Sequence, residues 1–119
     1  MSKIKQTKDV EGIKIFTVTG DFNMETTPEL QKICSEAAKN KGTRAVLLDF
    51  TSAGSVDTAA FACMINFIKD HKESGIRIGI INLENEGKNF MEILKLEKAI
   101  QVFRDEEEAI LEFKKPNLV

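Results

Sequence analysis

Tryptophan and tyrosine are absent from the 119 residues, while histidine occurs once and cysteine and proline twice each. A lone His71 with two distant thiols, Cys34 and Cys63, does not make a metal-ligand set. A disulfide between the two cysteines is possible but is not expected in a reducing compartment. Each lies in an apolar, helix-patterned run, where a thiol behaves as a small hydrophobe. No stretch approaches the roughly 18 apolar residues of a membrane span, and the first five residues lack the apolar core of a signal peptide. A cytoplasmic protein without membrane insertion is therefore expected. Charge of one sign is lacking too. With 17 Lys and Arg against 19 Asp and Glu, a net charge of −2 gives no reason to expect nucleic-acid binding. Enzyme signatures are missing as well: there is no Gly-x-Ser-x-Gly elbow, no Walker loop and no Gly-x-Gly-x-x-Gly. The chain is expected to be non-catalytic and to carry no cofactor.

What is present is a soluble composition, 42% hydrophobic and 30% charged, and a length suited to one domain over residues 1–119. Residues 3–9 alternate weakly, and 13–19 are dense in β-branched side chains, with Glu11-Gly12 as the turn between them. Gly20-Asp21 breaks the second strand. Thr27 and Pro28 announce a helix, as cap and first-turn proline, and Asn40-Lys41-Gly42 ends it. Residues 44–50 are a continuous apolar strand of the kind buried on both faces of a parallel sheet. After a loop over 51–56, Asp57 caps a helix reaching about residue 74, which Gly75 stops. A strand over 76–81, a helix over 88–94 and a strand over 100–103 follow. In the last helix Asp105 and Glu108 have capping-box spacing. The order ββαβαβαβα demands right-handed crossovers. It predicts a layered α/β fold with a mixed, mostly parallel sheet, an N-terminal hairpin and about four helices.

In open α/β sheets, ligands and partners gather at the carboxyl ends of strands. That selects residues 20–27, 49–58 and 82–88. The middle segment is small and hydroxyl-rich and runs straight into a helix through Ser55-Val56-Asp57-Thr58-Ala59-Ala60. Free amides and the helix dipole favour an anion at such a start, and a phosphate on a hydroxyl there adds about −1.5 to −2 of charge to a surface able to meet a partner. Against this stands a plainer reading, in which Asp57 is an ordinary cap. The acidic run 105–108 is expected of a first helical turn and gives no metal site. His71 sits among Asp70, Lys72 and Glu73 on a solvated face, and the phenylalanines at 61, 67, 90, 103 and 113 have core spacing.

These residues resemble a family. Gly20-Asp21-Phe22-Asn23 with Leu30, then Val46-Leu47-Leu48-Asp49-Phe50-Thr51, then Val56-Asp57-Thr58-Ala59-Ala60-Phe61, and finally Ile93-Leu94-Lys95-Leu96 and Glu108-Ala109, are similar in order and spacing to the STAS domain. The likeness covers nearly the whole chain and is to the single-domain anti-sigma factor antagonist form. The resemblance implies a STAS-like fold and a protein partner, an anti-sigma factor that is also a serine/threonine kinase. In that scheme the unphosphorylated antagonist binds the kinase and frees a sigma factor, and phosphorylation at the start of the second helix releases it. The residues it implies for partner binding are Asp21, Asn23, Ser55, Asp57, Thr58, Ala59 and Ala60. Three positions depart from the family pattern. Ala59 stands at the usual acceptor place, which leaves Thr58 as the phosphoacceptor candidate. Ala60 replaces a glycine, and Asn23 an aspartate.

Other readings stay open: an accessory subunit of a transporter or signalling complex, a small-ligand-binding variant of the domain, and self-association into a homodimer. A phosphoacceptor receiver domain is disfavoured. Asp49 ends a buried strand as a receiver aspartate does, but the opening hairpin supplies no acidic pair and Asn82-Leu83 follows the later strand where a lysine is needed. Asp49 is expected instead to hydrogen-bond the next loop.

Overall fold

The computed structural model describes residues 3–70, 75–83 and 100–115. Strands β1 (Ile4–Val10) and β2 (Ile13–Val18) form the antiparallel hairpin. Glu11 and Gly12 both take positive φ, 52° and 88°, the backbone that a two-residue hairpin turn requires. A bulge between Gln6 and Lys8 interrupts the pairing of β1, the outer strand of the sheet. Next come β3 (Gly20–Phe22), α1 (Thr27–Lys39), β4 (Ala45–Asp49), β5 (Ala53–Val56) and α2 (Thr58–Asp70). Strands β6 (Arg77–Ile81) and β7 (Gln101–Phe103) and helix α3 (Glu106–Lys114) complete the described chain.

The main sheet has the order β1-β2-β4-β6-β7, with β2, β4, β6 and β7 parallel. Period-two alternation splits its side chains cleanly between two cores. Phe16, Val18, Val46, Leu48, Ile78 and Ile80 point to the face covered by α1 and α2, where they meet Leu30, Phe61, Met64 and Ile68. Ile13, Ile15, Ala45, Leu47 and Ile81 point to the other face, under Ala109 and Phe113 of α3. Residues 45–48 of β4 are all fully buried, as a central parallel strand between two helical layers must be. Gly75 has φ +80°, consistent with the expected stop before β6. Among the described residues, no helix is long and apolar enough to cross a membrane.

Two local expectations are corrected. β2 does end at Val18 and Gly20 takes a positive φ of 73°, but residues 20–22 beyond that break, and 53–56 in place of the expected loop, are strands: β3 and β5 pair in parallel as a separate two-stranded sheet. The pairing holds because Phe22 is buried edge-on against Phe50, with ring centroids 5.5 Å apart. The first helix is also not capped by Thr27. Thr26 holds the N-cap position without a side-chain cap bond, and the Thr27 hydroxyl donates back to the Met24 carbonyl at 2.9 Å. Both threonines are buried and their hydroxyls are spent on the preceding turn. The helix expected over 88–94 lies outside the described residues, so three of the expected four helices are described.

Candidate functional site

Two of the segments selected at the carboxyl ends of strands meet along the β3–β5 seam. The Ser55 amide donates to Asp21 Oδ1 at 2.9 Å, and the Asp57 amide donates to the Phe22 carbonyl at 2.8 Å. Gly54 permits this closeness, because a Cβ there would collide with the Asp21 carboxylate. The Ser55 backbone amide, helped by the Ser55 side chain, holds the Asp21 carboxyl below its ordinary value. Asp21 is therefore a fixed negative charge on the surface.

Asp57 is the cap its sequence position suggests. Its Oδ1 accepts the amides of Ala59 at 2.7 Å and Ala60 at 3.2 Å, and its carbonyl takes the Phe61 amide at 3.0 Å. This corrects the idea of a helix start open to an anion, because the carboxylate already occupies those donors. The first residue of α2, Thr58, is exposed, and its hydroxyl has no hydrogen-bond partner among the described residues. Ser55, Asp57 and Ala59 are exposed beside it, whereas Ala60 is fully buried in the core and leaves the candidate surface. Half-buried Asn23 uses its side-chain oxygen to accept the Glu25 amide at 3.0 Å, an Asx turn into α1. A carboxylate would make the same bond, so the asparagine keeps the turn while removing a charge.

A second polar cluster lies at the ends of β4 and β6. Asp49 accepts the Thr51 hydroxyl at 2.5 Å and the Thr51 amide at 2.9 Å, as expected of a strand-end residue gripping the next loop. The Asn82 amide group joins both, at 3.0 Å to Asp49 and 2.7 Å to Thr51. Burial alone would raise the Asp49 carboxyl, but the Thr51 hydroxyl and the Asn82 amide outweigh it and hold the group below its ordinary value. Of the third selected segment only Asn82 and Leu83 are described. Asn82 reaches the cluster from a positive φ of 59°, a conformation asparagine tolerates better than most residues.

Sequence reasoning missed Met24. It is 52% exposed and adjoins Asn23, placing an apolar, adaptable side chain beside the polar patch. A methionine in a loop otherwise composed of Asn, Glu and Thr was the available signal.

The model of the STAS domain family matches residues 5–109. Comparison with curated proteins finds no match. Among solved structures, a candidate anti-sigma factor antagonist from Thermotoga maritima superposes with a TM-score of 0.77 at 18% identity, covering 91% of this chain and 92% of that one. The Bacillus cell fate determinant SpoIIAA in its phosphorylated form gives 0.70 at 12% identity, over 93% and 99% of the two chains. The murine anion transporter Slc26a9 gives 0.74 at 14% identity over 90% of this chain but only 18% of the transporter. At these identities the likeness is one of fold. The family match is what assigns the sequence, and with it the chain belongs to the STAS domain family.

Proposed function

We propose that this domain is an anti-sigma factor antagonist, a non-catalytic regulator that binds an anti-sigma factor with serine/threonine kinase activity and so frees a sigma factor. The observation that carries the reading is the exposed hydroxyl of Thr58 beside the capping carboxylate of Asp57, on a helix start braced by the Asp21–Ser55 seam. Asp21, Ser55, Asp57, Thr58 and Ala59 form the docking face, with Asn23 at its margin. The fold similarity to anti-sigma factor antagonists supports the partner class.

Phosphorylation of Thr58 releases the partner by charge. Since Asp57 already fills the Ala59 and Ala60 amides, an added phosphate finds no free cradle there. It instead places about −1.5 to −2 of charge beside the Asp57 carboxylate, and like-charge repulsion, with the cost of stripping water from the phosphate at a docked face, drives the partner off. The chemistry belongs to the partner enzymes.

Incubation with the cognate kinase and ATP, read by intact mass, tests this. One phosphate is expected on wild type and none on Thr58→Ala, and Thr58→Glu is expected to lose the kinase in a pull-down. A mass gain that survives Thr58→Ala, or equal recovery with Thr58→Glu, overturns it. The likeness to the transporter Slc26a9 favours a second reading, an accessory subunit of a transporter. Co-purification of a permease in place of a kinase distinguishes the two.

A further inference from the structure

At the amino ends of the parallel strands, away from Asp57, the α1–β4 turn, the start of β6 and the end of α3 enclose a cleft of about 570 Å³. Its size is that of a small-molecule site, typically ~300–1,000 Å³. Among the described residues five cations line it, Lys41, Arg44, Arg77, Lys114 and Lys115, against a single carboxylate, Glu11. In a chain of net charge −2, that concentrates positive charge at one end.

Three of the cations are engaged. Arg77 donates to the Glu112 and Lys115 carbonyls at 3.3 and 3.4 Å and to Gln101 Oε1 at 3.1 Å, and its guanidinium lies 3.9 Å from the Glu112 carboxylate. Lys114 pairs with Glu11, and Lys115 with Glu112, each at 3.1 Å. Lys41 and Arg44 are exposed, and their side chains make no ion pair or hydrogen bond among the described residues. Carbonyls at the ends of α1 and α3, which would repel an anion, are met in part. The Asn40 carbonyl takes the Thr43 amide at 3.0 Å, and Arg77 covers the end of α3. One wall is short of a polar partner: Thr43 is only 7% exposed, and its hydroxyl is buried without a hydrogen bond.

The lining also limits the ligand class. Its one aromatic among the described residues, Phe113, is buried edge-on to Phe103 and beneath the Arg77 guanidinium, so none of them offers a nucleobase a face to stack on. We propose that this cleft binds a compact phosphate-bearing anion lacking a nucleobase, gripped by Lys41 and Arg44 in the positive field of Arg77. The site stands independently of the docking face at Thr58.

The test is a titration of the ¹⁵N-labelled chain with sodium pyrophosphate at fixed ionic strength, followed by amide NMR. Saturable shifts are expected at Gly42, Thr43, Arg44 and Gly75, with affinity at least tenfold weaker in the Lys41→Gln/Arg44→Gln double variant. Both side chains are exposed, so the variant should keep the fold, which the remaining amide shifts report. Shifts that grow linearly without saturating, or that persist unchanged in the double variant, overturn the proposal. ATP is the second arm: affinity no tighter than for pyrophosphate supports a phosphate-only site, and binding more than tenfold tighter overturns it.

Discussion

The Ser55 amide donates to Asp21 Oδ1, 34 residues earlier in the chain, across 2.9 Å. This bond sits on the seam that aligns the Gly20–Asn23 segment with the start of α2, so its strength governs how firmly the proposed docking face is presented. Because the bond lowers the folded-state value of the Asp21 carboxyl, its contribution is complete above the unfolded value near pH ~3.9. It is lost as the pH falls through the lower folded value. The Ser55 amide resonance is expected to titrate in that acid window. Asp21→Asn should abolish the titration while leaving the rest of the spectrum in place.

The cap at α2 is measurable on its own. Asp57→Ala removes the acceptor for the Ala59 and Ala60 amides. It is expected to cost about 1 kcal/mol in urea denaturation, and Asn at the same position should recover most of that.

Gly79 marks the tightest point under α3. A Cβ added there would stand 2.7 Å from Phe113 Cζ and 2.8 Å from Phe103 Cε2, inside an edge-to-face pair whose centroids are 5.3 Å apart. Gly79→Ala is expected to destabilise the domain by about 1–3 kcal/mol through overpacking. A lower midpoint with an unchanged denaturant slope would show it.

The two thiols should separate chemically. Burial pushes the Cys34 thiol up to about 11, while Cys63 is only partly buried. At neutral pH a maleimide is expected to label Cys63 on the native chain and Cys34 only after unfolding, as peptide mapping of the labelled protein would reveal.

Much of this architecture was legible before any coordinates. β-Branched and aliphatic density marked β2, β4 and β6, and the two aspartate caps were readable at Asp57 and at Asp105, whose Oδ1 takes the Glu108 amide at 2.9 Å. The β3–β5 pair was not. Ala53-Gly54-Ser55 has little strand preference of its own, and the pairing rests on Phe22 burial and on bonds between distant segments. The proposed docking residues were selected by topology, yet the state of the amides behind Asp57 and the inward turn of Ala60 depended on local geometry. The cationic cleft was illegible for a related reason: Lys41, Arg44, Arg77 and Lys114 are scattered through the chain, and only the fold gathers them.

The bulge in β1 carries a consequence for assembly. A neighbouring chain that extended the sheet would need an unbroken row of donors and acceptors along this outer strand, and the irregularity between Gln6 and Lys8 interrupts that row. Lys5 adds an exposed ammonium group that a second copy would bring near its own, whereas Lys8 is paired with Glu106 at 3.0 Å. Growth by strand addition is thus disfavoured at this border, which closes one route toward fibrous aggregation.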